Sequence, residues 1–108
     1  MTKKAVDFLE KTNVGRRLIK TNYGISVFYQ KINGVRILHI EGNPSGQIGT
    51  GGHTISLSDT IADSDAFYRV ITQSVSANNT YAISLLNNSI TIKPYSPTSA
   101  YVNATFVY

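Results

Sequence analysis

The chain reads as all-β, a small antiparallel β-barrel or sandwich of six to seven strands preceded by a short N-terminal helical or linker segment. Three observations predict this class. From Tyr23 onward, apolar and β-branched residues recur in short alternating runs, the period of a strand with one buried face. Turn signals rich in Asn, Gly, Ser and Pro separate those runs at short, regular intervals, the spacing of consecutive hairpins. No stretch there sustains helical periodicity long enough to make a βαβ unit.

The 108 residues fit one domain, of a size that buries only part of its surface. Residues 3–11, KKAVDFLEK, have room for one or two helical turns with Val6 and Leu9 on one side, too short to persist without packing. TNVGRRLIKTNYG, which follows, is polar and glycine-punctuated and reads as a linker or neck. The expected division is a basic N-terminal linker or neck over residues 1–22 and a β-barrel head domain over 23–108.

In the head, YGISVFYQK sets Ile25, Val27 and Tyr29 against Ser26, Phe28 and Gln30. Asn33-Gly34 favours the positive φ of a two-residue hairpin turn and leads into VRILHIE. There Val35, Ile37, His39 and Glu41 share one face, and Arg36, Leu38 and Ile40 share the other. GNPSGQIGTGG holds five of the eight glycines and reads as a long loop. HTISLS is a short strand, and DTIADSDA a polar turn or single helical turn. FYRVITQSV, TYAISLL and SITIKPY are strands divided by SANN and NN. After SPTSA, YVNATFVY ends the chain with Val102, Ala104, Phe106 and Tyr108 on one face.

Composition narrows the chemistry. There is no cysteine, hence no disulfide framework and no thiolate metal site. No segment approaches the roughly 18 uninterrupted apolar residues of a membrane-spanning helix, and the start of the chain lacks the apolar region of a signal peptide; no membrane insertion is expected. Residues 1–20 hold six of the ten basic residues against Asp7 and Glu10, whereas residues 21–108 balance at zero net charge. The basic leader is either a solvated connector or a contact for an acidic surface. The neutral body offers no electrostatic footprint for nucleic acid.

Enzyme machinery is sparse, and no catalytic residue is expected. Only His39 and His53 are available as an imidazole base, and no Gly-x-Ser-x-Gly elbow accompanies either. Asp59, Asp63 and Asp65 lie close together, but without the ligand order of a calcium loop. They read as turn-forming residues that cap their own backbone, with a cation as the alternative. The glycine loop lacks the spacing of a phosphate-binding loop. No cofactor and no metal is expected.

What remains is a binding surface. The chain has seven tyrosines and no tryptophan. Tyrosine supplies rigid apolar area and a hydroxyl at low entropic cost, which suits recognition of sugars and proteins; sheet packing is the alternative for any one of them. Tyr95, Tyr101 and the Asn-rich turns cluster along the last hairpins. The strands VRILHIE and YVNATFVY also carry apolar residues on both faces, where an antiparallel sheet normally shows water one polar face. A second copy of the chain packing there is the expected reason, with Arg36, His39 and Phe106 as interface residues.

The order of features resembles a known family. A Lys-x-Asn-Gly hairpin (Lys31 to Gly34) precedes a strand closing in Gly42 and a glycine loop. TISLSDT, a long strand, NNTYAISLLNNSITIK and ATFVY follow. Over residues 20–108 this is similar to the C-terminal head domain of receptor-binding proteins of siphophages that infect Gram-positive bacteria, the lactococcal-phage type. The resemblance implies a bacteriophage virion protein at the tail tip or baseplate: a homotrimer of β-barrel heads that adsorbs to host cell-wall polysaccharide without catalysis and contacts other tail and baseplate proteins. In that family His, Asp, Trp and Arg side chains on the last strands hold the saccharide. Here the matching strands carry Ala82, Ser84 and Lys93, so those residues do not transfer. The candidate saccharide-binding residues are instead Tyr95, Tyr101, Arg69, Asn78 and Lys93. Two alternatives stand beside this expectation: a structural tail or baseplate protein, and a fragment of a polysaccharide-degrading tail spike.

Overall fold

The computed structural model describes residues 13–57, 68–86 and 88–108. The expected helical turn at 3–11 and the acidic stretch with Asp59, Asp63 and Asp65 lie outside these residues. Among the described residues there are eight strands: β1 (Val14–Asn22), β2 (Ile25–Ile32), β3 (Val35–Gly42), β4 (His53–Ser56), β5 (Tyr68–Ser76), β6 (Asn79–Leu86), β7 (Ser89–Pro94) and β8 (Val102–Val107). They form two four-stranded antiparallel sheets, ordered β1-β2-β3-β8 and β4-β7-β6-β5. The molecule is therefore a β-sandwich, within the expected class.

All seven expected strands are present. The eighth, β1, is a correction: its residues, expected as linker, pair along β2 from Val14↔Lys31 to Asn22↔Ile25, with two register irregularities. The β1–β2 connection is Tyr23-Gly24, with φ of 53° and 77°. The Asn33-Gly34 turn has the same signature, 49° and 82°. Positive φ at both central positions is the two-residue turn whose twist matches the strands it joins. Tyrosine is strained there, and tertiary contacts hold it: the Tyr23 ring stacks on His53 with centroids 4.7 Å apart, and its hydroxyl donates to the Gln47 carbonyl at 3.3 Å.

Alternation sorts the side chains as expected. Ile25, Val27 and Tyr29 on β2, Leu38 and Ile40 on β3, and Val102, Ala104 and Phe106 on β8 face inward and are buried. They meet Ile55 and Leu57, Tyr81, Ile83 and Leu85 on β6, and Ile90 and Ile92 on β7. Burying such side chains is worth about 1.5–3 kcal/mol each, which makes this layer the main source of stability.

The two sheets are also tied along both sides. On one side, His53 on β4 donates through Nε2 to the Asn22 side-chain carbonyl on β1 at 2.6 Å. On the other, the Gln73 amide on β5 donates to the Tyr101 carbonyl at 2.9 Å and accepts from the Asn103 N–H of β8 at 2.8 Å. The side-chain amide thus stands in for a neighbouring strand and caps an edge that would otherwise invite pairing. Inside, the Tyr81 hydroxyl donates to the Ala100 carbonyl at 2.7 Å. Burial raises the Tyr81 phenol above its ordinary value near 10.0, against a smaller opposite effect of the Thr98 side chain.

Candidate functional site

The β6–β7 hairpin presents a groove on the outer face of the second sheet. Its register sets Ala82 opposite Lys93 and Tyr81 opposite Pro94. Because Tyr81, Ile83, Ile90 and Ile92 point into the core, Ala82 and Lys93 point outward. Thr50, Thr80, Ala82, Lys93, Pro94 and Tyr95 line a groove of about 390 Å³.

Local sequence explains each placement. Tyr95 follows the last residue of β7, where its backbone N–H still bonds the Thr80 carbonyl at 3.0 Å. Its side chain is left 79% exposed. Asn79 fixes the next residue: its amide donates to the Ser96 carbonyl at 3.1 Å and accepts the Ser96 N–H at 3.0 Å. The far wall comes from the glycine loop. At Gly52, φ is +85°, and a Cβ would lie 2.5 Å from Lys93 Cγ and 2.9 Å from the Ile92 carbonyl oxygen. Glycine therefore lets the loop pass close to β7, carrying Thr50 to the groove.

The groove offers an exposed aromatic ring, an ammonium group and two threonine hydroxyls. Ring faces stack on apolar sugar faces, and hydroxyls and ammonium groups bond to sugar oxygens. Its polar groups are the Lys93 ammonium, the Tyr95 phenol and the Thr50 and Thr80 hydroxyls, donors and acceptors suited to the oxygens of a polar ligand.

Of the five residues expected to bind saccharide, the structure brings Lys93 and Tyr95 together. Asn78 is exposed in the β5–β6 turn, two residues before Thr80. Arg69 pairs with the core residue Leu85 and so lies on the opposite side of the sheet from Lys93. Tyr101 immediately precedes β8 of the other sheet, and its hydroxyl lies 3.5 Å from Glu41 Oε2. Thr50, Thr80, Ala82 and Pro94 were not singled out from sequence. The Ala82↔Lys93 register of the hairpin is the signal that finds three of them.

The expected interface residues also separate. Phe106 is 1% exposed and packs in the core of its own chain, opposite Leu38. It is a core residue and cannot touch a neighbouring subunit. The Arg36 guanidinium sits 4.4 Å from the centroid of the Tyr108 ring. His39 lies on the outer face of the first sheet, with Nδ1 2.8 Å from the Thr105 hydroxyl and Nε2 3.2 Å from Glu41 Oε2. A carboxylate only accepts, so Nε2 carries the proton, and in the neutral ring Nδ1 accepts from Thr105. Phe28 lies beside His39 with centroids 6.4 Å apart, and the Arg16 guanidinium covers Phe28 at 4.5 Å.

No protein-family model, no curated protein and no solved structure matches the chain.

Proposed function

We propose that the protein is a non-catalytic saccharide-binding head of the phage receptor-binding type, which adsorbs to bacterial cell-wall polysaccharide through the β6–β7 groove. The observation that carries the proposal is the exposed Tyr95 ring beside Lys93, Thr80 and Thr50. An aromatic side chain this open at a rigid hairpin end gains little for the fold. Stacked on a sugar ring, it loses few degrees of freedom and excludes water from the neighbouring hydrogen bonds. Hydroxyls and an ammonium group around it supply direction.

The phage assignment rests on the order of sequence features. The two-sheet antiparallel sandwich is compatible with it. A shallow groove of this kind binds weakly on its own. Assembly as a homotrimer, repeated at a tail tip with other baseplate proteins, would raise avidity by about 10²–10⁴ without new contacts.

An array of Gram-positive cell-wall polysaccharides tests the reading. Binding without change in polymer length, lost in Tyr95→Ala, is expected. Absence of binding to every polysaccharide would remove it, and depolymerisation would replace it with the tail-spike alternative.

A further inference from the structure

We infer that Tyr23, in the β1–β2 turn, positions the Thr50 wall of the saccharide groove by holding the glycine loop on both sides of that residue, an inference that rests on the proposed function. The loop leaves β3 after Gly42 and reaches β4 at His53, so it crosses from the first sheet to the second. Before Thr50, the Tyr23 carbonyl accepts the Ser45 N–H at 3.0 Å, and the Tyr23 hydroxyl donates to the Gln47 carbonyl at 3.3 Å. After Thr50, the Tyr23 ring stacks on His53 with centroids 4.7 Å apart and 28° between the planes. The neighbouring Asn22 side chain accepts from His53 Nε2 at 2.6 Å. Two adjacent residues at the end of one hairpin thus hold both stems of the loop. Gly46 permits the approach, since a Cβ there would lie 2.6 Å from the Tyr23 hydroxyl oxygen.

Between the stems the loop keeps little freedom. Ile48, 2% exposed, exchanges two backbone hydrogen bonds with Thr98, at 2.8 and 3.1 Å. Thr98 lies three residues beyond Tyr95, so these bonds join the two walls of the groove. The Gly52 N–H then closes a tight turn on the Gly49 carbonyl at 2.9 Å, with Thr50 and Gly51 at its centre. The backbone of Tyr23 points to the same role. Its φ of 53° is a value that bulky side chains seldom adopt. The next hairpin places Asn33 at the equivalent position, a residue that tolerates this conformation. Backbone strain of this kind gathers at ligand clamps, where the surrounding contacts maintain it. A wall already held in place spares the ligand the cost of ordering it.

Tyr23→Asn tests the inference in the full chain. It keeps the hairpin, because Asn-Gly already closes the next one, and it removes the ring. Calorimetric titration with the cell-wall polysaccharide that scores highest on the array is expected to show binding weakened by about fivefold. The melting temperature should fall by no more than about 4 °C. Tyr23→Phe keeps the stack on His53 and should bind within about twofold of wild type. In a Thr50→Ala background, Tyr23→Asn should add little further loss, because both substitutions act on one wall. Amide hydrogen exchange without ligand should quicken by about tenfold over residues 49–53 in Tyr23→Asn and stay unchanged in β6. A Tyr23→Asn protein that binds as the wild type does, or a loss that adds in full to that of Thr50→Ala, would overturn the inference: Tyr23 would then tie the sheets together and do nothing for the groove. If the wild type binds no polysaccharide, exchange decides. Faster exchange confined to the loop keeps the positioning role and removes the functional reading, whereas unchanged exchange removes both.

Discussion

Replacing Gln73 with alanine isolates the contact that closes one side of the sandwich. The amide makes two hydrogen bonds to the backbone at the start of β8, 2.9 Å to the carbonyl of Tyr101, which precedes the strand, and 2.8 Å from the Asn103 N–H within it. A hydrogen bond contributes about 0.5–1.5 kcal/mol net. Water reaches both backbone groups once the amide is gone, so the loss falls in the lower part of the combined range, about 1–2 kcal/mol. For a domain of this size that is a fall in melting temperature of roughly 4–8 °C. Thermal denaturation followed by circular dichroism, with urea titration beside it, measures the loss. Gln73→Glu is the sharper variant. Its carboxylate still accepts from Asn103 but faces the Tyr101 carbonyl with no proton to donate. Its penalty should match or exceed that of alanine at neutral pH and shrink in acid near the ordinary Glu value of about 4.3, as the protonated carboxyl regains a donor. A Gln73→Ala protein within about 0.5 kcal/mol of wild type, or a Gln73→Glu penalty indifferent to pH, would refute the bridging role.

Three further outcomes follow from the packing. Phe106→Ala should cost about 3–5 kcal/mol in urea denaturation, the range for emptying a core aromatic site. The Tyr81 phenol is raised in the folded chain, so between the unfolded and folded values the folded state holds the proton and the unfolded state does not. Stability is then fully present below about pH 10 and falls as pH rises above it; Tyr81→Phe should flatten that part of the stability–pH curve. Gly52→Ala should cost more than about 1 kcal/mol, because φ there is positive and a Cβ would meet the Ile92 carbonyl oxygen at 2.9 Å. It should also weaken saccharide binding in calorimetric titration by pushing the Thr50 wall away from Lys93.

The seven strands of the head and the Asn33-Gly34 turn were legible because both are local signals, alternation and a dipeptide that accepts positive φ. Strand β1 was not. It is an edge strand carrying Arg16, Arg17 and Lys20, and the charges and bulges that keep such an edge from pairing with other chains also erase the alternation that marks a strand. The site was legible in part for a related reason. Lys93 and Tyr95 share a hairpin, so sequence proximity brings them together. Tyr101 and Arg69 needed the sheet order: Tyr101 leads into β8 of the first sheet, and Arg69 turns to the inner side of β5. For Phe106, alternation grouped it correctly with Val102 and Ala104. Which of the two groups faces the core depended on the sheet that packs against β8, which alternation within one strand does not encode.

The groove beside Tyr95 is the proposed saccharide site. Calorimetric titration of the wild type and Tyr95→Ala with the cell-wall polysaccharide that scores highest on the array tests it most directly. Saturable binding by the wild type and about a tenfold loss in Tyr95→Ala, equivalent to about 1.4 kcal/mol, are expected, with the melting temperature unchanged. Equal affinity in the two proteins, or no heat of binding to the wild type, would contradict it.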